Sequence, residues 1–383
     1  MRIALFTPFS PNIGGGSVQL RSHLEQLPDL DIHWYYLAKH AMSESNHHWL
    51  GQPLTMTEIV SDLSARTGVL PGSKKRVCEI VEQIKADLYW VVAHSEGISV
   101  AAELIKQGKK VHLTVHDDPF ATWLRSGRYR IFRPLLLPAF PKIMLSAQSV
   151  DVTSWGMRNF YRQKYGVHCF SLYRHVPELP KLNISRDPAS LTIGHIGTLY
   201  EAKPFARFVS ACKQIAAENG RTLRIVRIGS SAEMDKIAAC NPEMFQAHGD
   251  LDEQNAIPLL AGCNFAYAMY PAGKRYELFR KTSLPIKLST YLQAQRPIFA
   301  HTPLDSTLAC VVNKYKVGRT CDCHRSEHEI ASEIRNLLAQ SMPSQNYEDA
   351  RKELMESGQL QKLAAALRGE NWQHFPEFDC RTI

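Results

Sequence analysis

At 383 residues the chain exceeds the ~250–300 at which one hydrophobic core usually stops growing, so two domains are expected, with a ligand site in the cleft between them. Its 44% hydrophobic and 21% charged residues, with no repeat or low-complexity tract, exclude the disordered and solenoid classes. A formal net charge of +8 favours anionic partners such as nucleotide diphosphates, anionic acceptors, phospholipid headgroups or nucleic acid, without choosing among them. The opening MRIALFTPFSPN breaks too early for a signal peptide and reads as a first strand. No apolar stretch reaches the ~18 residues needed to cross a bilayer. The expected location is therefore cytoplasmic, with at most peripheral contact at the inner face of a membrane.

After the first strand, TPFSPNIGGGSVQ carries three glycines before Ser17, which is expected to N-cap SVQLRSHLEQL. Gly15 and Gly16 there can bring backbone close to a ligand and aim helix N–H groups at an anion. The run is not GxGxxG, so it does not read as a dinucleotide fingerprint, and a plain flexible turn is the alternative. DIHWYYLA, DLYWVVAH and ISVAAELIKQG continue the alternation of strand and helix, with His94 closing one strand. KVHLTVHDDP then places His116, Asp117 and Asp118 at a strand end, where parallel α/β sheets bind ligands. His116 can donate to a sugar hydroxyl, and Asp117 or Asp118 can orient it or act as a base; the alternative is a helix-capping Asp pair. RSGRYRIFRPLLLP, residues 125 to 138, mixes Arg125, Arg128, Arg130 and Arg133 with Phe132 and leucines. It reads either as contact with an anionic membrane or as a packed segment with solvated arginines.

SVDVTSW, MRNFYRQKYG and HCFSLY complete a βαβ series, and PELPKLNISRDPAS has no apolar period. The expected division is therefore a domain over 1–176, a linker over 177–190, and a second domain over 191–350. Residues 351–383 form a helix and an aromatic-bearing tail that can cross back to the first domain. In the second series, GHIGTLYEAKPFARF sets Gly197 at a strand end and Lys203 at a helix start, a placement that suits a diphosphate. In FRKTSLPIKLSTYLQAQRPIFAHTP, Thr282 and Ser283 are expected to cap a helix beginning near Pro285, offering N–H groups and hydroxyls to phosphate, with Lys287 and Thr290 on its first turns. The nine scattered cysteines lack a CxxC pair and read as reduced core thiols, and Cys321-Asp322-Cys323-His324 does not have zinc-knuckle spacing.

Together these segments resemble, over most of the chain, the family-four group of retaining GT-B glycosyltransferases. RIALFTPFSPNIGGGSVQLRSHLEQL is similar to their opening strand, glycine loop and first helix; LTVHDDP to the strand ending in the family's functional histidine; and PIKLSTYLQAQRPIFAHTP to their P-x-K-L-x-E-Y-L-A-x-G-x-P pattern. The resemblance implies an α/β protein of two Rossmann-like doubly wound domains facing a central cleft, the first binding acceptor and the second the nucleotide sugar. It implies transfer of a sugar from a UDP-sugar or GDP-sugar to a hydroxyl of a saccharide or lipid-linked saccharide, with retention, no cofactor and no obligatory metal, as in polysaccharide assembly. His116, Asp117 and Lys203 are the implied catalytic residues, with His116 touching the transferred sugar. Gly15, Gly16, Gly197, Thr198, Lys203, Thr282, Ser283, Lys287 and Thr290 are the implied donor-binding set.

Three departures stand out. Thr198 occupies the position of the family's Arg, Thr282 and Thr290 those of two glutamates, the second of which binds the nucleotide ribose, and Gln295 that of a glycine. They motivate an alternative, a catalytically silent homologue serving as a binding or scaffold subunit. A transferase acting on modified DNA bases is a second alternative, but no recognition helix or finger is visible and a nucleic-acid partner is not expected.

Overall fold

The computed structural model describes residues 1–12, 14–42, 44–53, 73–122, 139–356, 358–377 and 379–380, so the arginine-rich segment 125–138 lies outside the described residues. The chain divides into two compact units, Met1–His175 with Glu356–Asp379, and Val176–Met355 with Cys380.

The first unit is built on seven parallel strands: β1 (Arg2–Thr7), β2 (Asp31–Tyr36), β3 (His47–Trp49), β4 (Leu88–Val92), β5 (Val111–Val115), β6 (Ser149–Val152) and β7 (Phe170–Ser171). Their order in the sheet is β3-β2-β1-β4-β5-β6-β7. The central strands are apolar throughout, as in IALF and LYWVV, because helices cover both faces of a parallel sheet. One face packs Phe6, Val91, Leu113 and Val152 against Ile98, Leu104 and Tyr161. The other packs Trp34, Trp90 and Phe170 against Leu360, Leu363 and Leu367, so the late helix Gly358–Arg368 supplies part of this core. The first helix starts at Gly15 rather than at Ser17: Gly14 takes the N-cap position at φ 90°, and Ser17, inside the helix, donates its hydroxyl to Ser10 O at 2.6 Å.

The second unit carries β8 (Ser190–Ile196), β9 (Thr222–Ile228), β10 (Phe245–Ala247), β11 (Phe265–Met269), β12 (Ile298–His301) and β13 (Gly318–Cys321), all parallel, in the order β10-β9-β8-β11-β12-β13. The helix Ala202–Glu218 buries Phe205, Phe208, Val209, Cys212, Ile215 and Ala216, a single stripe at helical spacing, on this sheet. Ser326 and Glu329 form a reciprocal capping box on the helix Glu327–Ala339 that packs beside it. Residues 176–189 form no helix or strand and are fastened to this unit by side chains. Arg351 donates to Val176 O and Pro177 O at 3.1 and 2.8 Å, and Gln295 to Pro180 O at 2.8 Å.

Two expectations change here. The cysteines are not all free thiols: Cys310 in the helix Thr307–Tyr315 forms a disulfide with Cys380, a partner 70 residues away that spacing could not reveal. The other correction concerns the helix expected to begin near Pro285 after Thr282 and Ser283, which begins at Lys287. Thr282 ends the helix Glu277–Thr282 and donates its hydroxyl back to Leu278 O at 2.7 Å, while Ser283 O accepts from Thr307. The next helix runs Lys287–Gln293 with Ile286 at its N-cap and no side-chain cap. Both residues are buried, at 1% and 7% exposure, because they join two helices within the core.

Candidate functional site

In each sheet, the chain leaves two adjacent central strands in opposite directions, which opens a crevice outside their C-terminal ends. In the second unit these strands are β8 and β11. They pair at Ile193 and Phe265 and at Gly194 and Ala266, then part. Tyr291, on the helix Lys287–Gln293, fills the gap: its hydroxyl donates to Tyr267 O at 2.9 Å and accepts from Ile196 N–H at 3.0 Å. His195 is sealed beside it, with Nδ1 3.1 Å from Tyr267 O and Nε2 3.1 Å from Gly197 O. Burial, reinforced by Lys287, lowers its pKa to about 3, so the ring is neutral and donates to only one of these carbonyls.

Gly197 follows β8 at φ +76°, a left-handed turn that glycine adopts without strain, and a β-carbon there would meet nothing within 4 Å. Thr198 is exposed, and its carbonyl accepts from Lys287 Nζ at 3.0 Å. That ammonium also lies 5.5 Å from the centre of the Tyr200 ring, and burial lowers its pKa to about 8. It stays mostly protonated at neutral pH and so presents a positive charge to an anion. Lys203 is exposed at the second position of the helix Ala202–Glu218.

Thr290, one turn further along the Lys287 helix, hydrogen-bonds Glu253 Oε1 at 3.0 Å, and Gln293 donates to the same oxygen at 2.9 Å. Glu253 opens the helix Glu253–Ala261, directly after the Asp252 cap. Its segment, GDLDEQNA, gives no signal beyond a capped helix. Only the spacing of Thr290 and Gln293, three apart on one helix face, could have hinted at a shared partner.

The crevice of the first unit lies where β1 and β4 part toward β2 and β5. Phe9, after β1, stands 6.2 Å from the His94 ring and 6.3 Å from the His116 ring. A β-carbon on Gly16 would come within 2.7 Å of His116 Nδ1, so this glycine makes room for the histidine. Gly15 is its neighbour at the start of the first helix. Nε2 of His116 is buried and has no hydrogen-bond partner among the described residues, and burial lowers its pKa to about 4. His116 is thus a neutral donor or acceptor at physiological pH. Asp117 is half-exposed beside it. Asp118 has the capping role: it accepts from Ala121 N–H and from the Tyr161 hydroxyl, each at 2.8 Å. A Ser149, His112 and Asp151 array in the sheet is sealed from solvent and holds strands together rather than forming a site.

Two doubly wound units of this kind, in one chain, make the GT-B fold, and the comparison with solved structures agrees. Sucrose-phosphate synthase from Thermosynechococcus elongatus is similar with a TM-score of 0.71 at 13% identity, covering 96% of this chain and 98% of that one. The lipopolysaccharide outer core galactosyltransferase WaaB in its apo form gives 0.62 at 10% identity, covering 96% and 99%. MnaA of S. aureus in complex with UDP gives 0.60 at 9% identity, covering 96% of each chain. No protein-family model and no curated protein sequence matches the chain. Among the described residues no helix is long and apolar enough to cross a membrane.

Proposed function

We propose that this chain is a glycosyltransferase that moves a sugar from a nucleoside diphosphate sugar to a hydroxyl of a saccharide or lipid-linked saccharide, with retention. The observation that carries the reading is the Lys287 ammonium, held on the Thr198 carbonyl at the β8 and β11 crevice beside the open Gly197 turn. The GT-B fold, shared with a UDP-bound structure and a galactosyltransferase, supports it.

Breaking a glycosidic bond to diphosphate builds negative charge on the leaving oxygens, and fixed positive groups stabilise that charge more in the transition state than in the ground state. Lys287 and Lys203 supply the cations and the Gly197–Thr198 backbone the close approach. Glu253, steadied by Thr290 and Gln293, offers a carboxylate to the ribose hydroxyls. In the first unit, the neutral His116 imidazole hydrogen-bonds a hydroxyl of the transferred sugar, with Asp117 beside it on the acceptor side. The acceptor proton leaves with a phosphate oxygen of the departing diphosphate.

The test is calorimetric titration of UDP and GDP into the wild type and Lys287→Met, with turnover measured on UDP-sugars and GDP-sugars. Wild type is expected to bind one of the two nucleotides, and the variant to bind it at least about tenfold more weakly, the scale of one charged hydrogen bond. Equal affinities would remove Lys287 from the site, and no binding of either nucleotide would end the glycosyltransferase reading. Because lysines carry the countercharge, turnover is expected to survive EDTA; its abolition would assign that role to a metal ion.

A further inference from the structure

In the first unit, β4 passes into the helix Glu96–Lys106 through only Ala93, His94 and Ser95. His94 N–H donates back to Val92 O at 2.9 Å and Gly97 N–H to His94 O at 2.8 Å, which closes a sharp strand-to-helix turn. A β-carbon on Gly97 would stand 2.0 Å from Val92 O, so only glycine lets the helix sit this close to the strand end. Ser95, at the apex, has φ 44° and ψ −124°, on the left-handed side that residues with a β-carbon disfavour. A serine between a small residue two before and a glycine two after, on such a turn, is held out over the C-terminal edge of a parallel sheet. Glycine would relax this backbone, yet the chain keeps a hydroxyl there.

The position is the crevice between β1 and β4. Ser95 is 6% exposed, and its side chain makes no capping bond to its own helix and no other hydrogen bond to the described residues. His116 Nε2, after the adjacent strand β5, is a buried polar atom without a partner among the described residues, and Phe9 is packed by the rings of both His94 and His116. A buried polar atom without a partner is costly, and His116 Nε2 next to an uncommitted Ser95 hydroxyl on a strained turn marks a place where a ligand's polar groups complete the bonding. No imidazole or carboxylate among the described residues hydrogen-bonds the Ser95 hydroxyl, so it is not an activated nucleophile and its role is binding.

We infer that Ser95 is an acceptor-binding residue, whose hydroxyl positions a saccharide hydroxyl at the β1 and β4 crevice beside His116. This rests on the glycosyltransferase reading, with the acceptor taken by the first unit. The experiment titrates octyl β-D-glucopyranoside, followed by NMR, into the full chain as wild type, Ser95→Ala and Ser95→Gly, with thermal melts and nucleotide titrations on the same samples. Wild type is expected to bind the glucoside and both variants to bind it about fivefold more weakly, the scale of one neutral hydrogen bond. Ser95→Gly is expected to raise Tm by about 2 °C while losing that affinity, a pairing that a purely structural serine would not show. The inference is overturned if Ser95→Ala binds the glucoside as wild type does, or if wild type does not bind it. Retained nucleotide binding alongside either result would leave the glycosyltransferase reading standing, whereas absent nucleotide binding would sink that reading itself.

Discussion

Single side chains decide what the second unit can grip. A threonine at position 290 cannot present a carboxylate, but its hydroxyl and the Gln293 amide hold the carboxylate of Glu253, which opens a different helix. The reading predicts that Glu253→Gln weakens UDP about tenfold, and that the wild-type preference for UDP over 2′-deoxy-UDP disappears in the variant. An unchanged preference would show that this carboxylate meets no ribose. Gly16 offers a test in the other unit. Because a β-carbon at 16 would crowd His116 Nδ1 at 2.7 Å, Gly16→Ala is expected to destabilise the wild type by about 1–3 kcal/mol, and by much less in a His116→Ala background. Additive costs in that double-mutant cycle would rule out the crowding. Gly197, Lys203 and Thr290 stand out in the sequence because a glycine at a strand end and polar groups at a helix start carry local meaning. Glu253, Tyr291 and Ser95 do not, because their roles depend on neighbours or on a backbone angle that only folding sets.

At the scale of elements, the alternation of apolar runs with amphipathic stretches was enough to foresee two parallel sheets, since the period of burial is written into each segment. What the residues 349–367 pattern concealed is that the helical stretch belongs to two bodies. Ser344–Met355 packs in the second unit, while Gly358–Arg368 lays Leu360, Leu363 and Leu367 on the first. The tail after it is fastened by charge: Glu377 pairs with Arg158 and with Lys362, two cations that are 6% and 3% exposed at the side chain, and Trp372 rests 4.8 Å from the Phe170 ring. Removing a buried cation's partner costs more than removing the cation. Glu377→Ala is therefore expected to destabilise the first unit by about 3 kcal/mol, whereas Lys362→Met, which keeps the stem and deletes the charge, is expected to cost under about 1 kcal/mol. Urea unfolding of the two variants decides it, and the reverse ranking would refute the arrangement. The Cys310–Cys380 disulfide closes a loop over 70 residues of sequence, so dithiothreitol is expected to lower stability by up to about 4 kcal/mol.

For the molecule as a whole, buried histidines set the response to acid. His23, His195 and His301 are at most 1% exposed, and burial, the largest cause in each, lowers their pKa values to about 4, about 3 and about 4. In the unfolded chain each titrates near the ordinary 6.5. Between that value and about 4 the unfolded state therefore binds more protons than the folded one, and stability falls as pH falls through this window. A shift of this size is worth on the order of 3–5 kcal/mol per fully buried ring, so three rings together rival the ~5–15 kcal/mol that a folded protein has to lose. Above neutrality the opposite limb belongs to buried thiols. Burial raises Cys169, Cys263 and Cys321 to about 12, so the unfolded chain gives up these protons first and stability falls again above about pH 9. Lys287, lowered to about 8, slopes the other way but is one group against several. Thermal melts are thus expected to show a plateau between about pH 7 and 9 and a steep fall from pH 6.5 toward 4.5. Replacing His301, whose ring lies against the Tyr267 hydroxyl at 3.0 Å, by glutamine should flatten the acid limb. A Tm that stays level from pH 7.5 to 5 would mean that these rings are protonated in the fold. Loss of nucleotide binding at pH 5 should accordingly track unfolding rather than titration at the donor site, where Lys287 keeps its charge.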